Sequence, residues 1–185
     1  MRNLLALPLA AALLWAPAPA TQAAEMMIED FQAQPETRWR FFADTVMGGV
    51  STGRVTFLRE DGRPHARMTG QVSTANNGGF IQMRLDLPSP PPEGTTGVRL
   101  IVRGNDQAYF VHLRTRGTLL PWQYYQAGFN VTRAWRELRL PFEAFSPSGS
   151  FLRGVPRARS LTSIGIVAFG RDHEAEIDLR EVGFY

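Results

Sequence analysis

The feature that most constrains this chain is a series of short segments in which apolar and polar residues alternate, separated by turns rich in glycine and proline. Alternation with a period of two is typical of β-strands that bury one face, and no segment carries the period of a long amphipathic helix. In one of these segments Val98, Leu100 and Val102 share a face, and two arginines lie on the other. The pattern predicts strands at residues 51–58, 66–72, 80–87, 97–103, 108–115, 123–130, 136–141, 163–169 and 175–185.

These strands predict an all-β domain, an antiparallel β-sandwich with jelly-roll topology. The proline-rich segment 88–94 is expected to cross between strands at the surface, because it is stiff and lacks hydrogen-bond donors. In the third segment, Ile81, Met83 and Leu85 are predicted to face the core. Positions 80, 82 and 84 then lie on an outer or concave face that is amphipathic.

Residues 1–24 have the charged start, apolar middle and small-residue end of a secretory signal peptide. Their apolar run is too short to span a bilayer. The alternative is an N-terminal helix that anchors the domain to a membrane. The sequence therefore predicts a signal peptide at 1–24 and a single β-sandwich domain at 25–185. The domain is expected to be exported to the periplasm, with no transmembrane segment after cleavage.

The charged residues and the absence of cysteine exclude several kinds of site. Without cysteine there are no disulfides, thiolate metal sites or cysteine nucleophiles. All twenty basic residues are arginines, and the formal net charge is +3. Because the arginines alternate with acidic and apolar residues, no nucleic-acid partner is predicted. A small anion site is compatible with this pattern.

Two glycine pairs stand beside short polar residues, in segments 44–51 (DTVMGGVS) and 76–80 (NNGGF). The Asp44 carboxylate either accepts backbone N–H groups that fix a turn or holds a ligand hydroxyl or an arginine. Similarly, Asn76 and Asn77 either form a β-turn or present their amides to sugar hydroxyls or a peptide backbone. Glycine permits positive φ and the close approach of other groups. The predicted structural turn residues are Gly48, Gly49, Gly78 and Gly79.

These two segments resemble those of the complex I intermediate-associated protein 30 family, the assembly factors of respiratory complex I (NADH:ubiquinone oxidoreductase). The further matching segments are 103–104 (RG), 109–114 (YFVHLR), 125–129 (YQAGF), Trp135, 140–142 (LPF) and 153–154 (RG). The resemblance implies a galactose-binding-domain-like fold and a chaperone activity toward unfolded or partly assembled proteins. It also implies protein partners among complex I subunits or assembly intermediates.

The residues offer no convincing catalytic constellation. The spacing of His65, His112 and His173 indicates no shared site, and no histidine is placed by the sequence near Ser51 to activate it. His112 either lines a functional face or is a half-buried, hydrogen-bonded side chain. No catalytic residue, cofactor or metal site is predicted.

The leading hypothesis is a non-catalytic module that binds another protein, as an assembly factor or chaperone. A second is a periplasmic carbohydrate- or small-ligand-binding β-sandwich, because asparagine, arginine and tyrosine supply planar donors and aromatic faces. A third is an enzyme that uses Asp44 with arginine partners. The alternative to all three is that these are ordinary surface side chains of strands with no binding role, in which arginine stems cover aromatic rings. The residues predicted to line or support a binding face are Asp44, Asn76, Asn77, Arg84, Arg103, Tyr109, Arg114 and Gln126.

Overall fold

The alternating segments form β-strands throughout residues 25–185, the part of the chain that the computed structural model describes. The predicted signal peptide lies outside the described residues. The strands are β1 (Met26–Glu29), β2 (Trp39–Ala43), β3 (Thr52–Glu60), β4 (Arg63–Val72), β5 (Phe80–Asp86), β6 (Gly97–Gly104), β7 (Ala108–Thr115), β8 (Tyr125–Asn130), β9 (Arg136–Pro141), β10 (Ser146–Pro147), β11 (Leu161–Phe169) and β12 (His173–Phe184). Short 3₁₀ helices lie at Pro35–Thr37, Asp44–Met47, Ala75–Asn77, Phe142–Ala144 and Ala158–Ser160. No helix within residues 25–185 is long and apolar enough to cross a bilayer.

The strands form two antiparallel sheets. Sheet A has the order β3-β4-β12-β6-β9, and β1 pairs with the C-terminal part of β12. Sheet B has the order β10-β8-β7-β11-β5-β2. Strands from distant parts of the chain are neighbours in both sheets, as in a jelly roll. The predicted antiparallel β-sandwich is confirmed.

The core lies between the two sheets and consists of the inward-facing residues of every long strand. In sheet A, Val98, Leu100 and Val102 are buried, as their alternation predicts. In sheet B, buried Ile81 and Met83 belong to the same apolar cluster. The alternate residues of each strand therefore form two outer faces, one on each sheet.

All nine predicted segments contain a strand, but β1, β2 and β10 were missed. Strand β2 has the sequence WRFFA, in which Phe41 and Phe42 are adjacent and both half-buried, so the alternation is obscured. Strand β1 is a four-residue strand, and β10 has only two residues. Such short segments give no detectable period.

Candidate functional site: the outer face of sheet B

The register of sheet B brings polar and aromatic side chains from several strands together on its outer face. In one row across the sheet, Arg84 of β5 lies opposite Gly165 of β11, which lies opposite His112 of β7 and then Gln126 of β8. Arg40 of β2 extends this row at the sheet edge. The adjacent row consists of Phe42, Gln82, Val167, Phe110 and Gly128. The two rows lie on the same face of the sheet because, within each strand, the residue of one row is two positions from the residue of the other.

His112 lies at the centre of this face and is fixed by two neighbours. Its ring stacks on Tyr124 with 3.9 Å between the ring centroids and an interplanar angle of 10°. Its Nε2 lies 2.8 Å from Gln126 Oε1. Because an amide oxygen can only accept, the neutral ring carries its proton on Nε2. Burial lowers the pKa of His112 to about 4, although the hydrogen bond with Gln126 opposes this shift.

A polar groove runs beside His112 toward the end of the sheet where β5 finishes and β11 begins. Its main cavity has a volume of about 300 Å³, and residues that line it include Arg84, Asp86, Arg114 and Ser163. A smaller cavity of about 50 Å³ adjoins it and is lined in part by the side chains of Gln82, His112 and Tyr124. We call the two cavities together the groove.

Arg84 lies on one side of the groove and is incompletely hydrogen-bonded. Its side chain is 22% exposed, and its guanidinium carbon lies 4.6 Å from the centroid of the Phe42 ring. Its Nε is buried without a hydrogen bond within the described residues, and the nearest carboxylate oxygen, Asp86 Oδ1, is 3.4 Å away. Burial lowers the pKa of Arg84 below its usual value, and the charges of Arg40 and Arg114 lower it further. The guanidinium nevertheless stays protonated.

Arg114 lies on the other side and fixes the loop between β7 and β8. Its Nη2 donates to the carbonyl oxygens of Thr118 and Leu120, each at 3.0 Å, and its Nη1 donates to that of Pro121 at 3.4 Å. Asp86, the carboxylate of the groove, forms an ion pair with Arg40. Because Arg114 donates to three carbonyl groups, its charge is instead stabilised by backbone dipoles.

Large apolar side chains are exposed on the loops that adjoin the groove. Trp122 is 65% exposed and Phe151 is 95% exposed, and Leu119 and Leu120 are also exposed. Ser148 holds the two loops together, because its Oγ donates to Trp122 O at 2.9 Å and accepts from Tyr124 N at 3.0 Å. We call these four apolar residues the rim.

The Asp44 carboxylate organises a turn at the opposite end of sheet B. It is fully buried, and its Oδ1 accepts from Ser51 N at 2.9 Å. Its Oδ2 accepts from Gly79 N at 2.6 Å, from Phe80 N at 3.2 Å and from the Ser51 hydroxyl. Burial opposes ionisation, but these hydrogen bonds outweigh it and lower the pKa of Asp44. One carboxylate thus joins the two glycine-rich segments of the sequence.

Comparison with protein families identifies the chain. The model of the complex I intermediate-associated protein 30 family matches residues 29–179. The chain belongs to this family. The resemblance inferred from the sequence segments is therefore confirmed, and the match extends over nearly all of the described residues. Comparison with curated protein sequences finds no match.

Solved structures that share the fold of this family member include carbohydrate-binding modules. A family 11 module from Clostridium thermocellum, in complex with a β-1,3-1,4-mixed-linked tetrasaccharide, has a TM-score of 0.69 at 10% identity, over 86% of this chain and 94% of that one. The family 11 module of a cellulosomal cellulase from the same organism has a TM-score of 0.71 at 10% identity, over 89% and 95%. A family 30 module has a TM-score of 0.54 at 10% identity, over 74% and 91%. At this identity the likeness shows the fold alone.

The structure places the predicted binding residues of this family member in four different locations. Arg84, Arg114 and Gln126 lie together on the outer face of sheet B. Asp44 is buried in the turn, and beside it Asn76 and Asn77 are exposed with φ of 56° and 59°. The last two residues, Arg103 and Tyr109, lie away from both groups.

Arg103 lies on the outer face of sheet A, in a network of ion pairs around Asp178. Its Nε donates to Asp178 Oδ2 at 2.8 Å, and Arg67 donates to both oxygens of the same carboxylate at 2.6 and 2.7 Å. Burial raises the pKa of Asp178, but the two arginines outweigh burial and lower it. The guanidinium groups of Arg103 and Arg180 both lie over the ring of Trp135. These charges are largely compensated within the chain.

Tyr109 faces the core and is fully buried. Its hydroxyl donates to Asn105 Oδ1 at 2.7 Å and accepts from Glu176 N at 2.8 Å, which ties sheet B to sheet A. Burial raises the pKa of Tyr109 to about 12.

The turn glycines have two separate roles around Asp44. Gly48 and Gly79 have φ of 90° and 129°, in the region that favours glycine. Gly78 instead gives space, because a Cβ atom there would lie 2.5 Å from Asp44 Oδ2, and one on Gly49 would also overlap this carboxylate.

Three groove residues, Asp86, Tyr124 and Ser163, were missed by sequence reasoning. Ser163 and Gly165 alternate with the buried Ile164 and Ile166, so the period of β11 contained a signal for the outer face. Within the described residues, His112 and Asp44 have no hydrogen-bond partner in common. Within residues 25–185, no three potential ligand side chains are grouped to hold a metal ion.

Proposed function

We propose that this member of the family is a non-catalytic module that binds another protein through the outer face of sheet B. Its proposed role is that of an assembly factor or chaperone for respiratory complex I. The observation that carries the proposal is the arrangement of the groove, with Arg84 and Arg114 on its sides, beside the exposed rim.

The rim and groove have the composition of a protein-binding surface. Contiguous patches of exposed apolar side chains on a monomer often mark a protein interaction site. Arginine and aromatic residues are enriched in such interfaces, and tryptophan and arginine contribute most to binding energy. Trp122 is exposed beside the groove, which Arg114 lines. The face therefore combines an apolar anchor with a positively charged groove.

The family membership supports the choice of partner. The family's name refers to association with a complex I intermediate, and we propose that this chain binds complex I subunits or their assembly intermediates. We also propose that the chain is exported. An exported protein would reach complex I from the periplasmic side.

Affinity capture of the tagged full-length protein from native membrane and periplasmic fractions tests this function. We expect a bait whose N-terminus starts near residue 25, and complex I subunits among the captured proteins. Deletion of the gene should also cause assembly intermediates of complex I to accumulate. An unchanged complex I profile in the deletion strain, with no complex I subunits captured, would overturn the proposal.

A second candidate is a carbohydrate- or small-ligand-binding module that uses the same face. It is favoured by the stacked pair of His112 and Tyr124 beside the amide groups of Gln82 and Gln126, because aromatic rings and planar amides bind sugars. The carbohydrate-binding modules of the same fold add to it. Titration of the protein with neutral oligosaccharides distinguishes the two, since this candidate requires saturable binding and the leading proposal requires none.

A further inference from the structure

We propose that the groove binds a carboxylate, and that the protein partner supplies it as an acidic residue flanked by apolar residues. This inference rests on the proposed function and specifies the chemistry of the partner segment. The carboxylate is expected between Arg84 and Arg114, and the adjacent apolar side chains are expected on the rim.

The groove contains an excess of positive charge. Arg40, Arg84 and Arg114 face it or its edge, whereas Asp86 is the carboxylate that lies beside them. Asp86 is bonded to Arg40 and makes no hydrogen bond with Arg84, whose Nε is 3.4 Å from it. Arg114 donates to backbone carbonyl groups. A net positive charge therefore remains in a partly enclosed space.

The partial burial of Arg84 makes this excess charge significant. A guanidinium removed from water is stabilised by an anionic partner, and its planar donors match a carboxylate. In sheet A, Arg67 is paired with Asp178 in this way at 2.6 and 2.7 Å. On the other sheet, the carboxylate near Arg84 is that of Asp86, which is exposed, lies 3.4 Å from Arg84 Nε without a hydrogen bond to it, and is shared with Arg40. The volume of about 300 Å³ in the main cavity accommodates a carboxylate side chain.

The rim favours a polypeptide as the source of the carboxylate. Leu119 and Trp122 are exposed apolar residues of the loop whose Thr118 and Pro121 line the groove, and Phe151 is exposed on the loop that Ser148 joins to it. A segment in which an acidic residue is followed by apolar residues is complementary to both parts at once. A polysaccharide that carries carboxylates matches the groove but has fewer apolar groups for the aliphatic part of the rim.

The test compares two short synthetic peptides that differ only at their centre, where one has glutamate and the other glutamine between leucine residues. Calorimetric titration of the full domain is expected to give a Kd about tenfold or more lower for the glutamate peptide, since hydrogen bonds to charged groups are the stronger ones. The Arg84→Gln variant should lose this preference. Asp86→Asn, which changes an exposed side chain, should increase it, because a competing carboxylate is removed.

Arg133→Gln is the matched control, because it removes an equal charge from an exposed position outside the groove. It should bind both peptides as the unmodified protein does. Equal affinity for the two peptides, unchanged by Arg84→Gln and Asp86→Asn, would overturn the carboxylate site and leave the proposed protein partner intact. Binding of an oligogalacturonate, dependent on Arg84, with no binding of either peptide would overturn the inference and contradict the proposed protein partner as well.

Discussion

At the scale of single residues, the most distinctive polar residue of the sequence is part of a folding device. Asp44 accepts hydrogen bonds from the backbone of Ser51, Gly79 and Phe80, and it joins segments about thirty residues apart. Both interpretations of Asp44 were open from the sequence, because an aspartate before a turn closes turns and also binds ligands. Only the fold reveals that its oxygens are directed at backbone N–H groups.

The space left by Gly78 gives a direct test of this device. Gly78→Ala places a Cβ atom 2.5 Å from Asp44 Oδ2, so the buried hydrogen bonds must rearrange. We expect the free energy of unfolding to fall by about 3 kcal/mol. Chemical denaturation measures the change. Gly154→Ala is the control, since no atom lies within 4 Å of its Cβ position, and it should change stability by less than about 0.5 kcal/mol. Equal effects of the two substitutions would contradict the role of Asp44.

His112 makes a prediction about pH. Its pKa in the folded protein is about 4, below the usual value of 6.5, because burial disfavours the charged ring. As pH falls below 6.5 the unfolded chain takes up a proton that the folded chain does not, so the free energy of unfolding decreases. The loss should be complete near pH 4 and amount to about 3 kcal/mol.

The variant His112→Phe isolates this contribution, because phenylalanine can stack on Tyr124 but does not titrate. Urea denaturation of both proteins at about pH 7 and about pH 4.5 measures it. The other titrating groups contribute equally to both proteins and cancel. A loss of stability on acidification that is the same in the two proteins would contradict a neutral, buried His112.

At the scale of strands and turns, alternation predicted all the long strands and the orientation of their side chains. The face of β5 that carries Phe80, Gln82 and Arg84 is the outer one, as predicted. The grouping of residues across strands could not be predicted, because it depends on pairings such as β5 with β11 between distant segments. For this reason Arg103 and Arg84 were grouped together, although they lie on opposite sheets.

The two sheets differ in how their outer charges are compensated. On sheet A, the buried carboxylate of Asp178 accepts hydrogen bonds from Arg67 and Arg103, and Glu60 forms a further ion pair with Arg103. On sheet B, Arg84 has no such hydrogen bond from its Nε in the described part of the chain. Arg180 Nε on sheet A also lacks a hydrogen bond there, but Arg180 lies over the Trp135 ring and 3.6 Å from Glu60. These arginines of sheet A thus contact two carboxylates, Asp178 and Glu60, whereas Arg40 and Arg84 on sheet B share Asp86.

The sheet A network should contribute strongly to stability. Asp178→Asn removes one negative charge and leaves Arg67 and Arg103 without their shared partner, so we expect the free energy of unfolding to fall by about 3 to 5 kcal/mol. Thermal or chemical denaturation measures the loss. Asp106→Asn is the matched control, because Asp106 and Arg133 form an exposed pair at 3.4 Å. It should change stability by about 0.5 kcal/mol or less. A small loss for Asp178→Asn would show that the network is dispensable.

At the scale of the whole molecule, sequence segments identified the family and the fold class, and both are confirmed. The proposed binding face could not be derived in the same way, because Tyr124, Ser163 and Asp86 come from three separate segments that only the sandwich brings together. The family match covers residues 29–179, which include strands of both sheets, and does not single out either outer face. The choice of sheet B rests on Arg84, whose carboxylate partner Asp86 is exposed and shared with Arg40, and on the exposed rim.

The measurement that tests this account most directly is site-specific photocrosslinking in cells, with a crosslinking amino acid placed either at Trp122 on the rim or at Leu58 on edge strand β3 of sheet A. Both side chains are exposed, at 65% and 40%, so neither substitution should affect folding. We predict crosslinks to a complex I subunit or assembly intermediate from position 122 and none from position 58. Crosslinks to such a protein from position 58 and none from position 122 would contradict the assignment of the binding face to sheet B.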